Sequence, residues 1–348
     1  MHERFQALVQ GAILAVIIGW VLYIGRPVFV PVVFSVLVVY VILGVNRLLE
    51  RLPRVGPAMP WWLRQSLSIV AIAVALGITS VAIVRYADVM RAQGPQFLES
   101  LLATIQRTAA YFGIEREPTW ATLRTELLAQ LDVQRLLGVT VASVSSVLAT
   151  LAFVGICAAF LLIERRTFDA KVDRLANGPR DAERIRQVAT DINNRIGTYL
   201  ALKTFLSVVL AGISWAIMAF FGLEFAPFWA VLIGLLNFIP YLGSILGVVF
   251  PALMAIVQFA SMDEVVGLVV VLSIAQFVIG NVLDPYLMGN SLNLSPFAIL
   301  VSLTVWSALW GLAGAFLAVP VTAAIVIVLS EFRGSRPIAI LLSRDGRL

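Results

Sequence analysis

Apolar residues fill most of this chain in long blocks, and short charged stretches separate them. A hydrocarbon core about 30 Å thick takes roughly 20 helical residues, so block length is the first guide to structure. Phe5–Ile24 and Val28–Val45 each suffice for one span, and only Gly-Arg-Pro lies between them, which predicts a tight helical hairpin. Further single spans are predicted from Trp61-Trp62, placed as an interfacial aromatic belt, to about Val84, then over Gly138–Ile163, Ile196–Phe221 and Val265–Leu283. Two blocks do not fit this scheme. Phe225–Ala260 and Leu292–Ser330 contain no charged residue, and the first would be roughly 54 Å long as one straight helix at about 1.5 Å per residue.

Helix breakers interrupt both overlong blocks. Pro240 removes a backbone donor in the middle of the first, with Asn237 one turn earlier and Gly243, Gly247 and Pro251 after it. Pro296, Gly311, Gly314 and Pro320 interrupt the second. Irregular backbone at membrane depth is tolerated only where protein or a water-filled cavity satisfies it. Each block is therefore either a kinked, tilted span, giving eight crossings, or a re-entrant hairpin that returns to its own side, giving six. The two readings differ in the side on which Asp263-Glu264 lies. The expected fold is an all-α polytopic membrane helix bundle of about eight membrane segments, two of them long and Gly/Pro-interrupted.

The charged stretches divide the chain further. Residues 1–84 form the N-terminal transmembrane helices, including a basic, proline-broken loop at 46–64. Residues 85–137 carry both signs of charge with apolar positions at helical spacing, as in an extramembrane helical insert, and 138–163 is a span. Residues 164–195 hold eight basic and six acidic residues and are split by Asn177-Gly178-Pro179, which predicts two polar helices. The transmembrane core is 196–330 and the tail is 331–348.

Composition supports the membrane assignment: 60% of the 348 residues are hydrophobic and 13% charged, against about 25% charged in soluble domains. The net charge of +5 lies beside apolar spans, so the positive-inside rule accounts for it better than nucleic acid does. With the N-terminus inside, seventeen Lys and Arg fall on the cytoplasmic side and seven outside, so both termini are expected in the cytoplasm. Lys203, within the fifth span, is expected to snorkel to the interface. His2 is the lone histidine and Cys157 the lone cysteine; no spaced metal ligands and no phosphate-binding Gly-x-x-x-x-Gly-Lys-Ser/Thr loop occur. No enzyme, cofactor or metal site is expected.

Between the overlong blocks, Gln276, Gly280, Asn281 and Asp284 fall within about 140° of one another on a helical wheel. This suggests a polar face approaching Asp284-Pro285. Broken helices flanking a polar span are the pattern of secondary-transporter sites. The substrate or ion pathway is therefore expected at Asn237, Pro240, Tyr241, Gln276, Asn281 and Asp284. Gly243, Gly247, Pro251, Gly311, Gly314 and Pro320 serve hinge motion or packing. Half-helix ends near Asn237–Gly243 and Leu294–Pro296 would offer unpaired backbone groups to a small polar solute or monovalent cation. A non-transporting scaffold and a passive channel are the alternatives.

The run Asn237-Phe238-Ile239-Pro240-Tyr241-Leu242-Gly243, then Gly247, Pro251, Asp284-Pro285, Gly289, Trp310-Gly311, Gly314 and Val319-Pro320, resembles the autoinducer-2 exporter family, also described as PerM-like permeases. The resemblance spans nearly the whole chain. It implies a bacterial inner-membrane transporter or permease without its own ATPase, built as a homo-oligomer. Some members export autoinducer-2, and others act as antiporters exchanging sodium or lithium for protons. Two positions depart from the family pattern. Ser244 replaces a usual proline and implies a less rigid turn, while Ser295 replaces a histidine found in many relatives and removes a protonatable group.

Overall fold

The computed structural model describes residues 2–50, 59–60, 62–70, 77, 133–259, 261–288, 292–332 and 334–346. The predicted third span beyond residue 70 and the insert up to residue 132 lie outside the described residues, apart from the helical residue 77. The described backbone is helical almost throughout; a single isolated bridge, Leu294 to Ser343, is the β pairing among the described residues. The chain is an all-α polytopic membrane bundle.

Helix α1 (His2–Ile24) passes through Gly25 into α2 (Arg26–Glu50). Helix α3 (Val133–Glu164) continues through a short 3-10 turn into α4 (Phe168–Leu175). Helix α5 (Pro179–Phe220) is the longest, 42 residues, so the second polar helix and the fifth span form one rod. The sequence places a boundary near Ile196, where polar residues give way to apolar ones. Gly197 follows that boundary, but no proline does, and the helix continues through it. Pro179 at its start suits a first-turn position that needs no N–H. Arg186 on α5 ion-pairs with Asp169, Asp173 and Glu183, tying α4 to the rod on the exposed side.

The chain divides into two compact units, one of 1–69, 150–204 and 288–348, the other of 70–149 and 205–287. Each overlong block belongs to one of them, and each proves to be a hairpin.

In the second unit, α6 (Ala226–Leu236) and α7 (Leu242–Gln258) are joined by a turn over Asn237–Tyr241. A Cβ built on Gly243 would lie 2.0 Å from Leu236 O, and one on Gly247 3.5 Å from Ile233 Cγ1. Farther from the turn, the Trp229 and Phe250 rings are 6.4 Å apart. These pairs are spaced symmetrically about the turn, so the two helices run antiparallel. Gln258 closes the base: its Nε2 donates to Gly222 O at 2.7 Å and its Oε1 accepts from Glu224 N at 2.6 Å. Helix α6, roughly 16 Å long, cannot cross a core of about 30 Å. Residues 225–259 therefore form a helical hairpin whose two ends lie together. It leads into α8 (Met262–Phe277), a π-helical turn over Val278–Leu283, and α9 (Asp284–Met288), together a 27-residue candidate span.

In the first unit, α10 (Pro296–Glu331) contains one non-helical residue, Gly311, at φ 64° and ψ −141°. A Cβ on Gly314 would lie 1.8 Å from Trp306 O, and Trp306 Nε1 donates to Thr322 Oγ1 at 3.0 Å. Asn293 and Ser330, near the two ends, line one cavity. The chain thus doubles back at Gly311, and α11 (Arg336–Leu342) follows. Trp310 Nε1 donates to Leu22 O at 3.0 Å, and the Phe34 and Phe316 rings are 5.5 Å apart, so this hairpin packs against α1 and α2.

Candidate functional site

The second unit gathers all six predicted pathway residues. Asn237 caps α6 at the hairpin tip and is buried; its Nδ2 donates to Ser207 Oγ on α5 at 3.0 Å. The approach is made possible by Gly234, where a Cβ would lie 3.1 Å from both Ala211 Cβ and Ser207 O. Pro240 sits in the turn. Leu242 N donates to Pro240 O at 2.6 Å across Tyr241, which has φ 62° and ψ −52°. That is the right-hand form of the γ-turn, rare and strained for any residue with a Cβ. The Tyr241 side chain is 53% exposed, so no burial compensates the strain.

Most backbone donors at the first hairpin tip are paired, but the Tyr241 N–H makes no hydrogen bond among the described residues. The N–H groups of 237, 238, 239, 242, 243 and 245 all find carbonyls within the hairpin. At the second hairpin Ser295 N donates to Leu342 O, and Ser295 Oγ accepts from Ala298 N at 3.1 Å. Ser295, lacking the histidine of the resemblance, works as a helix cap. Buried side chains supply further candidate groups.

Gln276 is the clearest of these. It is 5% exposed, its Nε2 has no hydrogen-bond partner among the described residues, and it lies 2.4 Å from where a Cβ on Gly247 would stand. Glycine at 247 is what leaves room for the amide. Leaving such a donor unsatisfied costs about 1–3 kcal/mol, and more in lipid. Two further buried groups of this unit, Ser214 Oγ and Trp229 Nε1, also have no partner. Sequence inspection missed both, because a serine and a tryptophan in an apolar run read as packing; a helical projection of α5 would have put Ser214 on the face of Ser207.

The wheel geometry changes at 278–283. A π-helical turn, with wider i→i+5 bonding, interrupts the 100° step on which the single polar face rests. Gln276 is buried, but Asn281 is exposed and donates back to Phe277 O at 3.3 Å. Asp284 begins α9, half-buried. Gly280 faces Ser244 Oγ, 3.7 Å from its hypothetical Cβ, so α7 packs on the π turn. Such turns are frequent at functional sites. Pro251 is buried within α7.

Gly311, Gly314 and Pro320 lie in the first unit, where Gly314 and Pro320 are buried in α10. Lys203, expected to snorkel, is instead 6% exposed within α5. No group of three or more His, Cys, Asp or Glu able to hold a metal occurs among the described residues.

A polytopic bundle with broken hairpins and buried polar side chains at membrane depth defines a membrane permease. Residues 12–334 match the AI-2E family transporter model, and the chain belongs to that family. It is 26% identical over 302 residues to YhhT of Escherichia coli K12, described as a candidate transport protein, covering 82% of this chain and 83% of that one. It is 29% identical over 252 residues to the AI-2 transport protein TqsA of the same strain, covering 71% and 68%. A candidate transport protein of Borreliella burgdorferi is 33% identical over 184 residues; there the match spans about half of each chain, 53% and 51%. The family is one of transporters and not of enzymes in general.

Proposed function

We propose that this permease is a secondary transporter that moves a small polar solute, or exchanges a monovalent cation, across the bacterial inner membrane with both termini in the cytoplasm. Gln276 carries the reading, as a buried amide nitrogen with no hydrogen-bond partner among the described residues, beside a glycine that keeps its space open. Asn237 and Tyr241 at the hairpin tip, with Asn281 and Asp284 along the π turn, supply the remaining polar groups. Pro240 with Gly243, Gly247 and Pro251 shapes the hairpin, while Gly311, Gly314 and Pro320 shape the other. Asp284 carries the charge that couples solute to cation. AI-2, the solute for which the relative TqsA is named, is the first to assay. The chain acts as a homo-oligomer.

In proteoliposomes, an imposed sodium or proton gradient drives solute accumulation. Flux that only dissipates a solute gradient indicates a channel, and no flux a scaffold. Gln276→Met keeps size and folding but lowers solute flux at least tenfold. Asp284→Asn abolishes cation coupling; transport unchanged across pH and sodium would remove Asp284 from this role. Cysteines at Glu224 and Asp263, in a Cys157→Ala background, label from the same side; labelling from opposite sides breaks the re-entrant reading.

A further inference from the structure

The first unit contains a cavity of about 350 Å3 that the transport reading does not use. It lies where α5 turns from polar to apolar and where the charge-free second hairpin ends. Asp191 and Arg195 from α5, Asn293 from the segment before α10, Ser330 and Glu331 from the end of α10, and Arg336 from α11 line it. The volume suits a small ligand; such sites run from about 300 to 1,000 Å3.

The charges on its walls are unusual in what they leave undone. Asp191 and Arg195 stand at i and i+4 on one helix, acid before base, the favourable order for an ion pair. They make none, and neither does Arg336, among the described residues. Glu331 is held from outside the cavity: Arg184 Nε lies 3.4 Å from its Oε2, and Arg184 Nη2 donates to its main-chain oxygen. Two guanidiniums and two carboxylates therefore share one space without neutralising one another.

That balance selects a ligand. A lone anion would meet Asp191 together with the arginines, and a lone cation would meet two guanidiniums, so each would be opposed by part of the wall. A molecule carrying both signs meets complementary charge at each end. We infer that this cavity binds a small zwitterion, its phosphate or carboxylate held by Arg195 and Arg336 in charge-assisted hydrogen bonds and its ammonium by Asp191 and Glu331. The ammonium needs N–H donors to use those carboxylates fully, so a primary amine is preferred over a quaternary one. Ethanolamine phosphate has this chemistry, either as a free solute or as the headgroup of phosphatidylethanolamine. The site stands in the other compact unit from Gln276, so binding here and flux there are separable readouts.

Thermal unfolding of the full-length protein in detergent tests the free form. Ethanolamine phosphate raises the midpoint by several degrees at millimolar concentration, and choline phosphate, inorganic phosphate and ethanolamine do so at least tenfold less effectively. Arg336→Gln and Asp191→Asn each abolish the shift; Arg195→Lys, which keeps the charge but loses the fork, weakens it. Nanodiscs with and without phosphatidylethanolamine test the headgroup: native mass spectrometry finds that lipid retained by the unaltered chain and lost from Arg336→Gln. A response in either arm supports the zwitterion site and names its source. Equal binding of inorganic phosphate, retention by variants whose unliganded midpoint is unchanged, or no response in both arms overturns it.

Discussion

The two hairpins reverse the chain by different physical means. In the first, five residues leave the helix, proline removes a donor, and Tyr241 takes a strained γ-turn. In the second, one residue does the work: Gly311 adopts φ 64° with nothing within 4 Å of its hypothetical Cβ, and helix resumes at once. Their surroundings differ as well. Beside the second turn Trp306 and Trp310 lie 4.8 Å apart and both indole N–H groups are used, by Thr322 and by Leu22 O. Near the first, the Trp229 indole and the Gln276 amide remain without partners. A hairpin whose buried indole donors are both taken reads as a structural element; one with buried donors left over has capacity for a ligand.

This contrast is open to attack in order of effect. Gly314→Ala and Gly243→Ala drive a methyl into backbone carbonyls at 1.8 and 2.0 Å, which cannot yield as a side chain can. Each should cost about 3 kcal/mol or more, read as loss of a monodisperse peak and of the melting transition in detergent. Mild effects at both would show that the arms are not in backbone contact. Gly311→Ala meets no atoms and suffers only strain, about 1–3 kcal/mol. Its melting point falls, but the protein remains folded.

Gln258→Ala removes both clamps at the base of the first hairpin, about 1 kcal/mol for each hydrogen bond. It should increase proteolysis near 222–224 before it changes the global melt. The smallest effect is expected at Tyr241→Gly. Relief of the positive φ offsets the added freedom of the unfolded chain, so stability changes by less than about 1 kcal/mol, in either direction. Solute flux falls nonetheless. A full-rate Tyr241→Gly transporter would make the strained turn incidental.

Much of this was readable from residue order. Charge-free blocks too long for one crossing, with Pro240 and Gly311 inside them, locate both reversals, and the observed breaks fall at Asn237–Tyr241 and at Gly311. Asn177-Gly178-Pro179 likewise separates α4 from α5. The continuity of α5 was less legible, because hydropathy marks where lipid begins and says nothing of whether a helix stops there. The π turn was invisible: Val278–Leu283 has no breaker, and its wider bonding gives no signature in composition. Lys203 was misplaced for a related reason, since snorkelling is argued from depth alone while burial depends on which helix faces it.

The sequence by itself determined that the chain lies in a membrane and where its two overlong blocks break, because lipid penalises every charge and every unpaired amide locally. Tertiary structure alone decided that each broken block folds back on itself, and that Asn237 is satisfied by Ser207 while Gln276 is left without a partner among the described residues. Those outcomes depend on contacts between residues far apart along the chain, such as Gln258 with Gly222, and no local pattern encodes them.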